Sequence, residues 1–214
     1  MKKVFEGVYR DRNRIYTVNM VPGRKVYNER LVRVQGVEYR SWNPYRSKMA
    51  AFILKGMKHF PFTKETRLLY LGVASGTTAS HFSDIITDGI IYGIDIAFKP
   101  MKNFVKLSQE RKNLFPIMAN ASKPEEYGAV VEGANLLYQD IAQRNQVEIF
   151  TRNMERFDIG EGIIMVKARS IDISKKPERV FREVVKNMES EYEVVEAIKL
   201  APYARDHMAI HVRT

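Results

Sequence analysis

The chain has 214 residues, 45% of them hydrophobic and 28% charged, which suffices for one substantial core with a small appended lobe. It holds no Cys, no apolar run of about 18 residues and no signal-like N-terminus, which excludes disulfides and thiolate metal centres and leads us to expect no metal site, no membrane span and a cytoplasmic location. The net charge of +10 is uneven: 12 of the 35 Lys/Arg but only 4 of the 25 Asp/Glu lie in residues 1–50, a local net of +8.

Residues 1–45 read as a small β-rich lobe. Segments 4–9 and 14–18 alternate roughly with period two around the turn-prone Asp11-Arg12-Asn13, and 31–34 and 37–40 flank Gln35-Gly36. Tyr9, Tyr16, Tyr27, Tyr39, Trp42 and Tyr45 are interleaved with the basic charge, a composition that suits an RNA-contacting surface. Asn43-Pro44 then predicts the start of a helix from Tyr45 to about Lys58, with Met49, Phe52, Ile53 and Met57 as its buried stripe.

Residues 46–214 form the main domain. Apolar runs at 68–72, 90–95, 114–118, 134–138 and 162–168 are interleaved with helical patterns at 77–87, 99–112, 143–156 and 177–189. Strand-like runs at 192–199 and 207–213 finish the chain. This alternation predicts an α/β fold whose sheet is mostly parallel, with helices on both faces. No helix separates the last two runs, so the final strand is expected to insert antiparallel.

The most informative stretch is Leu68-Leu69-Tyr70-Leu71-Gly72-Val73-Ala74-Ser75-Gly76-Thr77-Thr78, an apolar strand entering a Gly-containing turn that opens a helix. Backbone amides in such a turn approach a ligand closely, and the helix N-terminus favours polar or anionic groups. Asp95 ends the next apolar run, about 20 residues on, where a carboxylate meets a ribose diol. Ala74 replaces the second glycine of a dinucleotide-binding turn, so a pyrophosphate is poorly provided for. A ligand with an adenosine but no phosphates fits better, and S-adenosylmethionine is the obvious one.

Ligands of open α/β sheets bind beyond the carboxyl ends of the strands. The candidates there are Thr77 and Thr78, Asp95 and Ile96, Asn120 and Ala121, Asp140, Ile141, Ala142 and Gln143, and Lys167. Each has an ordinary reading alone: Asp140 could cap a helix, and Lys48, Lys167 and His207 could be solvated or structural. Two lysines, an aspartate and a histidine converging on an adenosine-type pocket suit methyl transfer to a weakly acidic hydroxyl, whose proton must be removed.

Several segments resemble the archaeal fibrillarin family of guide-RNA-dependent 2′-O-methyltransferases. They are residues 70–78, Tyr92-Gly93-Ile94-Asp95, Leu136-Leu137-Tyr138-Gln139-Asp140-Ile141-Ala142-Gln143 and Val166-Lys167-Ala168-Arg169-Ser170. Trp42-Asn43-Pro44-Tyr45-Arg46-Ser47-Lys48 and Arg205-Asp206-His207 also match, in the family's order. The resemblance implies a class I S-adenosylmethionine-dependent methyltransferase domain behind the β-lobe, with Lys48, Asp140, Lys167 and His207 as the catalytic tetrad. It implies cofactor contacts at Thr77, Thr78, Asp95, Ile96, Asn120, Ala121, Asp140, Ile141, Ala142 and Gln143. Asp95 stands where the family commonly has Glu, and Asn120 where it normally has Asp. The implied partners are a box C/D guide RNA, target rRNA and tRNA, a Nop-type scaffold protein and a kink-turn-binding ribosomal-like protein. The competing readings are a stand-alone RNA methyltransferase, an inactive subunit of an RNA particle and a nicotinamide-dependent dehydrogenase. The sequence carries no RRM or KH signature, which favours recognition delegated to a guide.

Overall fold

A computed structural model describes residues Met1–Thr214. The lobe is a five-stranded antiparallel sheet of β1 (Lys2–Phe5), β2 (Val8–Asp11), β3 (Arg14–Val18), β4 (Leu31–Val34) and β5 (Val37–Trp42), in the order β1-β2-β3-β5-β4. The single strand expected over 4–9 is in fact a hairpin. Gly7 turns it at φ +65°, and a Cβ there would stand 2.9 Å from the Ile85 side chain.

The helix expected from Tyr45 starts later, as α1 (Lys48–Leu54). The Asn43 side chain accepts the Tyr45 N–H at 2.9 Å, which commits residues 43–46 to a turn and removes Pro44 from the helix. Ser47 becomes the N-cap, its hydroxyl accepting from Ala50. Gly56, at φ +103°, follows the helix end, where the Met57 N–H bonds back to the Phe52 carbonyl.

The main sheet comprises β6 (Arg67–Leu71), β7 (Ile90–Asp95), β8 (Leu114–Met118), β9 (Leu136–Gln139), β10 (Glu161–Lys167), β11 (Glu193–Lys199) and β12 (His207–Arg213). Its order is β11-β12-β10-β9-β6-β7-β8. The five strands β6 to β10 are parallel, and β12 inserts antiparallel between β10 and β11, as expected. The helices are α2 (Thr77–Ile85), α3 (Phe98–Glu110), α4 (Gln146–Arg156), α5 (Ala168–Ile171) and α6 (Pro177–Glu189).

Alternate residues of each strand serve opposite faces, so β6 feeds two cores. Leu68 and Tyr70 pack with α1, with Phe82 of α2 and with Phe104 of α3. Leu69 and Leu71 pack with Ile149, Phe150 and Met154 of α4 and Val180 and Phe181 of α6. Val8, Ile15 and Trp42 of the lobe belong to the first of these cores, so the lobe is continuous with the main domain.

A buried polar network reinforces that junction. Arg40 of β5 is fully buried and donates to Glu29 at 2.7 Å and to Asp84 of α2 at 2.9 Å. Arg111 reaches the other Asp84 oxygen at 2.6 Å. His81 of α2 stacks on Trp42 and lies 2.8 Å from both the Thr17 and Tyr27 hydroxyls. Because Thr17 spends its proton on Asp84, His81 Nδ1 must donate to Thr17, and in the neutral ring Nε2 is an acceptor that competes with the Ser41 carbonyl, at 2.9 Å, for the single Tyr27 hydroxyl proton. Burial, then the charges of Arg40 and Arg111, push the imidazole well below its ordinary pKa, in keeping with that neutral tautomer.

Candidate active site

The chain runs outward from β6 through β7 to β8, then returns to β9 on the other side of β6. The carboxyl ends of β6 and β9 therefore form the crevice where such sheets bind ligands. Gly72 follows β6 there at φ +82°, and a Cβ on it would sit 2.6 Å from the Asp140 carbonyl and 2.8 Å from Ile141. Only glycine lets the two strand ends approach this closely.

Ala74 also adopts a left-handed φ, +50°, which an L side chain disfavours. Its N–H donates to Asp95 Oδ2 at 2.8 Å, while Asp95 Oδ1 accepts from Ala97 at 2.9 Å. Asp95 thus shapes the turn from the neighbouring strand. A carboxylate offers about four lone-pair sites, so two remain for a diol.

Asp95 opens on a cavity of about 260 Å³. Ile96, Asn120, Ala121, Asp140, Ile141, Ala142, Gln143 and Lys167 line it as well. Eight of the ten cofactor positions expected from the sequence are therefore gathered around one space. Thr77 and Thr78 are not among its walls. Thr77 faces a separate cavity, and the buried Thr78 hydroxyl donates to Ser47 at 3.0 Å. Asn120 Oδ1 already accepts the Ser122 N–H at 3.0 Å. Its amide N–H groups have no protein partner, so the side chain offers donors as well as one remaining acceptor site.

The donor set suits S-adenosylmethionine. Asp95 matches the ribose hydroxyls, the apolar walls of Ile96, Ala121 and Ile141 match a flat base, and the Asn120 amide offers a polar contact at the base edge.

At the rim, Asp140 follows β9 and stands between two ammonium groups. Lys48 Nζ of α1 is 3.0 Å from Oδ2, and Lys167 Nζ is 3.1 Å from Oδ1 and 3.4 Å from the Asp140 carbonyl. Burial alone would raise the Asp140 carboxyl, but the charges and hydrogen bonds of Lys48 and Lys167 outweigh it and hold it below the ordinary value. The pocket therefore contains an ionised carboxylate and an excess of positive charge.

His207 sits beside this group as the sheet partner of Lys167. Burial, reinforced by the charges of both lysines, lowers its pKa despite the bond to the Arg205 carbonyl and the nearby Asp140. In the neutral ring Nδ1 donates to that carbonyl, which leaves Nε2 as the acceptor.

Two further residues hold the site that were not among the expected site residues: Gln146 carried no signal beyond polar character, and Ser47 lay within the matching Trp42–Lys48 segment. Gln146 is fully buried: Oε1 accepts from the Lys167 backbone at 3.0 Å and Nε2 donates to the Gln143 carbonyl at 2.9 Å. It ties the end of β10 to the cavity wall. Ser47 starts the Lys48 helix and accepts from Thr78, so it joins α1 to α2.

The sequence model of the Fibrillarin family matches residues 1–214. The fibrillarin-like rRNA/tRNA 2′-O-methyltransferase of Thermococcus sibiricus is 49% identical, over 99% of this chain and 97% of its own length. Aeropyrum pernix fibrillarin, solved with natively bound S-adenosyl-L-methionine, superposes with a TM-score of 0.85 at 45% identity, covering 93% of this chain and 88% of that one. The chain in a fibrillarin/Nop5p complex superposes with a TM-score of 0.91 at 44% identity, covering 100% of both. The match runs from the first residue to the last, and it settles the relationship: the chain belongs to the fibrillarin family.

Proposed function

We propose that this chain transfers the methyl group of S-adenosylmethionine to ribose 2′-hydroxyls of rRNA and tRNA, as the catalytic subunit of a particle whose box C/D guide RNA selects the target. The observation that carries the reading is the placement of Lys48, Asp140, Lys167 and His207 at the rim of the Asp95 cavity. The activity in the name of the Thermococcus relative and the cofactor in the Aeropyrum structure support it.

When bound, S-adenosylmethionine supplies an electrophilic methyl carbon whose leaving group is a neutral thioether. Asp95, Asn120 and the 140–143 wall hold the nucleoside part. Asp140 fixes both lysine head groups, and their net positive charge favours the oxyanion character that grows on the attacking 2′-oxygen. As the O–C bond forms and the S–C bond breaks, the hydroxyl proton must leave. The Nε2 lone pair of neutral His207 is the acceptor that requires no lysine to be deprotonated.

Recognition is delegated. A Nop-type scaffold, supported by the Nop5p complex of the related chain, and a kink-turn-binding protein present the guide duplex to this rim. The test is site-mapped methylation by the assembled particle while the guide sequence is changed. The modified nucleotide is expected to follow the guide; efficient modification of one defined site by the isolated chain would favour a stand-alone enzyme.

A further inference from the structure

A cavity larger than the one beside Asp95, of about 640 Å³, lies between the lobe, the 43–46 turn and Tyr203. Arg14, Arg30 and Arg46 border it, all exposed and none with a carboxylate within 4.0 Å. The single acid in its wall, Glu29, is buried and already neutralised by Arg40. The cleft therefore gathers three exposed cations that no carboxylate compensates.

Its aromatic component is equally unsatisfied. Tyr45 is 67% exposed, an unusual state for so large a ring, and it meets Tyr203 edge-on at 5.2 Å. This pair sits on the two segments that carry the rim groups: Tyr45 precedes Lys48 by three positions and Tyr203 precedes His207 by four. A second cavity, of about 420 Å³, shares Tyr27 and Arg46 with the first and adds Lys25 and Lys106. The two spaces thus adjoin as one cationic track, and the one acid that the second adds, Glu110, lies 3.6 Å from Arg24.

We propose that this track binds the RNA strand next to the methylated nucleotide, with Arg14, Arg30 and Arg46 on successive phosphates and Tyr45 stacked on a neighbouring base. The choice of RNA rests on the proposed function above. The chemistry agrees: guanidinium forks hold phosphates without reading sequence, and a ring face takes any base. A subunit whose target is chosen by a guide needs this sequence-blind grip. The lobe then has a role of its own, since it supplies Arg14 and Arg30.

The test uses the full chain and a short single-stranded RNA whose binding is followed by anisotropy from low to moderate salt. The double variant Arg14→Gln/Arg30→Gln is compared with Arg182→Gln/Lys186→Gln, the same charge change on exposed positions of α6. Loss of two phosphate contacts should lower the slope of log affinity against log salt by about 1.5, and the α6 variant should leave the slope near that of the wild type. Tyr45→Leu should weaken binding by roughly 5- to 100-fold at unchanged slope, and Tyr45→Phe should restore it. In the assembled particle the arginine variant should raise the KM for target RNA and leave kcat and cofactor affinity unchanged. An unchanged slope, or an equal fall in the α6 variant, overturns the proposal. So does a double variant that keeps its RNA affinity but loses the Nop-type scaffold, since the cleft would then be a protein interface. A wild-type particle that binds RNA as described but transfers no methyl group would instead refute the proposed function and leave the cleft intact.

Discussion

Lys167 and His207 are direct antiparallel partners, the last residue of β10 facing the first residue of β12. In a wholly parallel sheet the first residue of a strand lies at the edge opposite the ligand crevice. Because β12 runs against β10, its start is delivered to the end where β6, β9 and β10 terminate. The strand inversion is thus what brings an imidazole from the C-terminal segment to the lysine–carboxylate group.

Asp95 both shapes the turn and faces the cavity, so removing its carboxylate should act on ligand binding first. Asp95→Ala is expected to weaken S-adenosylmethionine by about 1–3 kcal/mol, the scale of a hydrogen bond to a charged group. Isothermal calorimetry on the folded variant measures this. Unchanged affinity would remove Asp95 from the cofactor site.

Lys167→Ala should depress single-turnover methyl transfer by roughly 10²- to 10⁴-fold, the range for a group that orients or exchanges a proton. The change falls at a strand end, and Lys48 remains to neutralise Asp140, so the thermal midpoint should shift little. A wild-type transfer rate would exclude Lys167 from the chemistry.

The pH–rate profile tests the assignment of the proton acceptor. The His207 pKa is lowered from 6.5, so the ring is neutral and competent at neutral pH and becomes protonated only below that value. The rate should be level near pH 7 and fall on an acid limb that lies below 6.5. His207→Gln should lose that limb along with most of the rate. An acid limb that persists unchanged in this variant would transfer the role to another group.

Arg40 is buried against Glu29 and Asp84; without it Glu29 has no cation and Asp84 keeps only Arg111. Arg40→Met should destabilise the fold by about 3–5 kcal/mol, as when one partner of a buried ion pair is removed. Denaturant unfolding followed by circular dichroism reads the loss. A change under about 1 kcal/mol would mean that water, rather than protein, solvates the junction.

Hydrophobic period and turn chemistry determined much of this molecule from the sequence alone. The β–α alternation, the glycine turn after residue 71 and the missing helix before 207 sufficed for a mostly parallel sheet with one inverted strand. The strand-end rule brought eight of the ten expected cofactor positions to one cavity, because register and strand polarity place those residues whatever the details of packing. Helix starts were less legible. Asn43 and Ser47 act through single side-chain hydrogen bonds that compete with Pro44, and no periodicity reports which of them prevails. Contacts between distant segments were decided by the tertiary structure. Asp140 meets Lys48 across 92 positions and Arg40 meets Asp84 across 44, and local sequence shows only that each is charged. The buried network of His81, Arg40, Asp84 and Arg111 stood wholly outside the sequence reading. Its members look like surface residues until the lobe closes on α2, when desolvation leaves them no partners but one another.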